Sequence, residues 1–323
     1  MAMKISDILP PFRHRLWSIA LQGGATHAVS RLPLGADGKI SWDYIDLLHL
    51  RESFRDHGLQ LEVIEPGLDG QMHDMKLGTD KRDADIERCK QLIRNMGTVG
   101  IPVFCYNFMA KFNWVRTSTT TPARGGALVT SYDHALMKDA PLTDAGVVTA
   151  DKLWENLKYF LEAVVPVAEE YNVKLALHPD DPPVESIQGI SRIITNAEAM
   201  QKVLDLVPSA YSGITLCQGT LAAAGENIPE VIRQFGRQRK IFFVHFRDIK
   251  GTAERFTETF HDEGQTNMVE AIKTYKEVGF DGPVRIDHAP TLEGEDNRDP
   301  GYAEMGRLYA LGYLRGLQES AGY

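Results

Sequence analysis

Two periods of apolar positions alternate along the chain. Short runs that are almost wholly aliphatic or aromatic are separated by longer stretches in which apolar residues return every three or four positions. The first kind reads as strands buried on both faces, the second as amphipathic helices that cover them. The runs THAVSRL, LQLEVIEP, IPVFCYNF, VKLALHP, YSGITLCQG, IFFVHFRD, RFTETFH and GPVRIDH predict eight strands. Between them, SWDYIDLLHLRESFRDHG, DADIERCKQLIRNMGTVG, TADKLWENLKYFLEAVVPVAEEYN, NAEAMQKVLDLV, NIPEVIRQFGRQRK and NMVEAIKTYKEVG predict helices. Ser41 is placed to cap the first of these and Gly58 to stop it. A glycine-rich loop (Gly67, Gly70, Gly78) follows the second strand, and residues 1–25 read as a leader. A final helix spans GYAEMGRLYALGYLRGLQESAG. Its Leu308, Leu311 and Leu314 either cover the barrel or serve a subunit interface, so a homo-oligomer is one expectation.

Eight strands alternating with helices over 323 residues predict one α/β domain, a (β/α)8 TIM barrel spanning residues 1–323. The alternation is interrupted once. Residues 109–148 carry neither period, and a loop that long inside a compact domain points to a lid or substrate loop.

Charge and composition narrow the partners. The net charge of −9 argues against nucleic acid and anionic membranes as partners, and no stretch approaches the roughly 18 apolar residues of a spanning helix. The three cysteines, Cys89, Cys105 and Cys217, are too few and too odd in number for a disulfide framework, so a reducing, cytoplasmic setting is expected.

The candidate chemistry lies where the strands end. His178 closes its strand and is followed by Pro179, Asp180, Asp181, Pro182 and Pro183, which stop the strand and stiffen the loop. Cys217, His245 and Asp287 stand at corresponding places on later strands. In a barrel all of these ends point to one rim, the rim that carries catalysis. Two imidazoles, a thiolate and a carboxylate form a first shell for a divalent transition metal. Each residue taken alone has a structural explanation; the four together at strand ends do not share one. Asn107, Trp114, Arg116, Arg247 and His288 occupy the same rim. An arginine there offers bidentate recognition of a substrate carboxylate, or a surface ion pair. Asp180 and Asp181 are expected to orient neighbours or to contact substrate hydroxyls. His261 reads as a solvated turn.

The segments CYNFMAKFNWVRT, ALHPDDPP, GITLCQGTL, FFVHFRDI and DGPVRIDH followed by DPGY resemble the motifs of the mannonate dehydratases, a family of the xylose-isomerase-like barrels. Order and spacing agree from about residue 60 onward. The resemblance implies dehydration of D-mannonate, a small anionic sugar acid, to 2-keto-3-deoxy-D-gluconate with Mn²⁺, Fe²⁺ or another divalent metal. It carries the family's metal ligands onto His178, Cys217, His245 and Asp287, and its proton-transfer residues onto His288 and Tyr302, either of which would be base or acid. The chain departs from the family's pattern at Ala289-Pro290, at Ile286 and in AKFNW of the long loop, all around the substrate rather than the metal. A dehydratase for another aldonate, or an isomerase or epimerase on the same barrel, is therefore the alternative expectation.

Overall fold

In the computed structural model, which describes residues 2–66 and 72–323, eight parallel strands close into a barrel in chain order. They are β1 (Lys4–Leu9), β2 (His27–Ser30), β3 (Gln60–Ile64), β4 (Val103–Asn107), β5 (Lys174–His178), β6 (Ser212–Cys217), β7 (Ile241–Phe246) and β8 (Pro283–Ile286). Gly67 and Gly70 of the glycine-rich loop lie outside the described residues.

The count of eight holds, but its membership differs from the sequence expectation at two places. The stretch read as a leader contains β1, which pairs with both β2 and β8 and so closes the barrel. Its KISDIL sequence hides this because Lys4, Ser6 and Asp7 interrupt the apolar run; Ser6 and Asp7 are nevertheless buried. Conversely, RFTETFH is not a barrel strand. Arg255–Glu258 pairs antiparallel with Ile249–Thr252 and with Leu128–Asp133, and Ser118–Pro122 completes a four-stranded sheet. Thus the 109–148 segment is partly structured: two of its strands form half of a sheet attached to the barrel. His261, expected at a solvated turn, is fully buried and stacks on Phe246.

A helix follows each barrel strand. Asparagine or threonine caps open four of them, with Thr149, Asn196, Asn227 and Asn267 each accepting a backbone N–H three residues on. The helix expected to begin at Ser41 begins at Tyr44. Ser41 Oγ instead accepts the Asp43 amide and donates to Asp46. Ala150–Tyr171 runs through Pro166 without ending. An interior proline costs about 3 kcal/mol. Leu153, Leu157, Phe160, Leu161, Val164 and Val165 are buried on one face, and at about 1.5–3 kcal/mol each they outweigh that cost.

Alternation along the strands sets the site. Cys105 and Asn107, Ala176 and His178, Thr215 and Cys217, Phe243 and His245 are each two apart, so each pair shares one face. Val29, Val63, Val103, Cys105, Ala176 and Phe243 belong to a buried cluster drawn from the barrel strands, distinct from the larger core that includes the helices. The register places Asn107 beside His178, Cys217 beside His245, and His245 beside Arg285. One step along the strands from this packed layer, the side chains become chemical.

Candidate metal centre

His178, Cys217 and His245 converge so that one ligand atom from each lies within 4.8 Å of the others. His178 Nε2 and His245 Nδ1 face each other at 3.1 Å, and Pro179 O at 2.6 Å sits at the other His178 nitrogen. That second contact fixes the ring and leaves Nε2 as the donor atom toward the cluster. Cys217 is fully buried. Burial alone would raise its pKa, but the Arg247 guanidinium and His178 overcome it and hold the thiol well below its usual range. Burial likewise opposes ionisation of Asp287, yet Arg285 and His288 keep its carboxyl well below the ordinary carboxylate range. Asp287 Oδ2 lies 3.6 Å from His245 Nδ1, while Arg285 Nη1 donates to Oδ1 at 2.7 Å and Arg247 Nε lies 3.0 Å from Oδ2. Two imidazoles and a low-pKa thiol converge, and the Asp287 carboxylate lies beside His245 without joining the group of three; the residues present have donor chemistry that fits a divalent transition-metal ion.

Residues missed by sequence reasoning support this cluster. Glu65, at the end of β3, ion-pairs with Arg285, and its Oε2 lies 3.5 Å from His245 Nε2. Arg285 Nε also contacts His245 Nε2 at 3.1 Å. His245 is thus held at one nitrogen by a carboxylate–guanidinium pair and offers the other to the cluster. Burial opposes ionisation of Glu65, but Arg285 keeps its carboxyl far below the usual range. Glu65, Cys105 and His245 also form a second group of donor atoms within 4.8 Å, although Glu65 is already paired. A strand end followed by proline, the EP of VIEP, was the available signal for Glu65; nothing in the sequence marks Arg285 as facing inward.

His288 and Tyr302 line the same pocket as His178, His245 and Asp287, together with Trp114 and Asn107. The Tyr302 hydroxyl donates to Asp287 Oδ1 at 3.2 Å. The Ala289 amide donates to Gly301 O at 2.7 Å, so the Ala289-Pro290 departure lies in the backbone that holds Tyr302 beside His288. Trp114 brings its ring to 4.7 Å from His288 and 6.5 Å from Tyr302. Asn107 accepts from Lys76 at 2.9 Å and donates to Asn113 at 3.1 Å.

Three of the remaining predicted residues, Arg116, Asp181 and Arg247, are drawn into a buried ionic network. Arg116 donates both terminal nitrogens to Asp181, at 2.7 and 2.9 Å, and also bonds Glu258. Arg247 bonds Asp181 at 2.6 Å and Glu258 at 2.7 Å. Neither arginine is left free for a substrate carboxylate. Asp180 turns away into its own loop, where its Oδ2 accepts the Ile193 and Ile194 amides. Gly219 makes room for the network: a Cβ there would sit 2.8 Å from Arg247 Nη1.

A closed parallel barrel with two imidazoles and a thiol converging at its strand ends, and a carboxylate, a histidine and a tyrosine in the adjoining pocket, has the architecture of a barrel enzyme with a candidate metal site. The D-mannonate dehydratase (UxuA) family profile matches residues 15–146 and 141–322, and the chain belongs to that family. It is 38% identical to the mannonate dehydratase of Thermotoga neapolitana, across 92% of this chain and 90% of that one. The crystal structure of mannonate dehydratase from Streptococcus suis serotype 2 superposes with a TM-score of 0.87 at 32% identity, covering 99% of this chain and 93% of that one. The D-psicose 3-epimerase of Clostridium cellulolyticum H10 shares only the fold, at 13% identity and a TM-score of 0.63, covering 98% of this chain and 99% of that one.

Proposed function

We propose that this chain dehydrates D-mannonate to 2-keto-3-deoxy-D-gluconate and water, and that it does so with a divalent metal held by His178, Cys217, His245 and Asp287. The observation that carries the reading is the convergence of His178, Cys217 and His245, the two histidines lining one pocket with Asp287, His288 and Tyr302, in a barrel belonging to this family. Mn²⁺ or Fe²⁺ suits an imidazole, thiolate and carboxylate set. When bound, such an ion supplies Lewis-acid polarisation of the substrate's carboxylate end.

The chain's own residues account for the rest. Loss of water from C2 and C3 requires removal of the C2 proton and protonation of the departing C3 hydroxyl. His288 and Tyr302 are the two groups placed to share this work, one as base and the other as acid. Trp114 packs its ring beside both, and its part in this proposal is to limit the water that reaches them. Arg116 and Arg247 act by holding Asp181 and Glu258 rather than by gripping substrate. The 109–148 segment and its attached sheet serve as the cover over the rim, and we place the protein's working environment in the cytoplasm. The epimerase alternative has no observation in its favour beyond the shared barrel.

A panel of aldonates offered to Mn²⁺-loaded protein, assayed for 2-keto-3-deoxy products, tests the reading. D-mannonate is expected to be the best substrate, and His178→Ala to abolish both turnover and metal retention. Conversion of a different aldonate in preference to D-mannonate would overturn the substrate assignment. Full activity in His178→Ala would overturn the metal assignment.

A further inference from the structure

Glu258 does not belong to the barrel. It ends the strand Arg255–Glu258 of the antiparallel sheet, yet its side chain is buried beside the rim. Its Oε1 lies 2.9 Å from His288 Nδ1 and 2.7 Å from Arg247 Nη1, and it also accepts from Arg116. Its other oxygen, Oε2, is buried with no hydrogen-bond partner among the described residues. All the polar work of this carboxylate is therefore done by the oxygen that meets the histidine.

We infer that Glu258 is a positioning residue for His288, fixing a proton on Nδ1 and leaving Nε2 as the atom that exchanges protons with substrate. A carboxylate oxygen and an imidazole nitrogen, both acceptors, repel at 2.9 Å unless a proton lies between them. The same Oε1 already accepts from the Arg247 and Arg116 guanidinium groups, an environment that keeps Glu258 a carboxylate, so the proton between it and Nδ1 belongs to the ring. A rival donor exists: Arg116 Nη2 lies 3.4 Å from the same Nδ1. That contact is longer, and the same nitrogen is already engaged by Asp181 at 2.9 Å and by Glu258. Nε2 is then on the side of Asp287, 3.7 Å from its Oδ1, where the pocket lies. His288 also holds a left-handed backbone, φ +43°, a conformation that costs a non-glycine residue about 1–3 kcal/mol. A carboxylate orienting one imidazole nitrogen so that the other is reactive is a recurrent catalytic arrangement. Here the carboxylate is delivered by the sheet attached to the barrel, so that sheet completes the site.

Only the kinetic consequence rests on the dehydratase reading; the proton's location does not. Ring ¹⁵N spectra of histidine-labelled protein, with His288 assigned by its loss in His288→Gln, are expected to show a protonated Nδ1. An unprotonated, pyridine-type Nδ1 overturns the inference, whether or not any aldonate is turned over. With Mn²⁺ and D-mannonate, Glu258→Gln is expected to lower kcat at least about tenfold, with KM unchanged within twofold. Should that variant fail to fold, Glu258→Asp is read instead: the shorter arm withdraws the carboxylate from Nδ1, and a lowered kcat at constant KM is expected. Wild-type kcat in either folded variant overturns the inference. If wild-type protein yields no 2-keto-3-deoxy product, the function reading fails and the ¹⁵N spectrum still decides the role of Glu258.

Discussion

Tyr302 and Glu65 separate two jobs that a single loss of activity would confuse. Tyr302→Phe removes one hydroxyl from a ring held by the backbone at Ala289 and Gly301. Mn²⁺ content is expected to stay at the wild-type level while kcat falls by about 10²–10⁴, the range for loss of a general acid or base. Metal analysis and turnover on the same sample check this. Glu65→Gln acts on the other side, loosening the pair that holds His245. Its expected effect is a metal affinity lower by about 10–100-fold, read by Mn²⁺ titration; an unchanged affinity would show that His245 is oriented by Arg285 alone. The difference in what could be read from sequence follows the same line. His178, Cys217, His245, Asp287 and His288 end apolar strands, so position alone put them on one rim. Glu65 and Glu258 act through contacts 30 or more residues away along the chain, Glu258 with His288 and Glu65 with Arg285, and no local pattern announces these pairings.

Elements were legible where period and burial agree. LALH, ITLC and FFVH are apolar but for Thr215 and their closing chemical residue because both faces are covered. β1 hid in the sequence because polar residues lie on both of its buried faces: Asp7 is bonded to Arg307 at 3.0 Å, and Ser6 donates to Val284 O. RFTETFH was misplaced because its alternation fits a strand of any sheet; only pairing with Leu128–Asp133 decides which. That pairing brings Glu258 and Arg116 together, and it makes a prediction for the element. Arg116→Met leaves Asp181 and Glu258 short of one buried cation. Such a loss costs about 3–5 kcal/mol, which urea unfolding should report as a lower midpoint with an unchanged slope. Gly219→Ala should act on the same network by crowding Arg247. An Arg116→Met protein as stable as wild type would mean that the sheet is held to the barrel by other contacts.

At the scale of the molecule, the buried carboxylates tie stability to pH. Burial alone would raise the pKa of Asp181 and Glu258, but Arg116 and Arg247 bring both below their ordinary values, Glu258 to about 2. Groups depressed in the folded state contribute stability above their unfolded pKa values, about 3.9–4.3, and lose it as pH falls through the folded values. The melting temperature is therefore expected to hold from neutral pH down to about 5, then to drop steeply toward about 2. A flat profile to pH 3 would contradict the ionised network. Among the described residues no helix is long and apolar enough to cross a membrane, and the covering helix Glu304–Ala321 buries Leu311 and Leu314 while leaving Leu308 at the surface. That helix therefore covers the barrel, as one of the two sequence readings had it. The central claim remains that these ligands hold a metal for the removal of water from D-mannonate. The most direct measurement follows D-mannonate by NMR in the presence of Mn²⁺-loaded protein, before and after the metal is stripped by a chelator. The account predicts conversion to 2-keto-3-deoxy-D-gluconate, its loss on stripping and its return with Mn²⁺; unchanged mannonate, an epimer, or equal conversion by the stripped protein would contradict it.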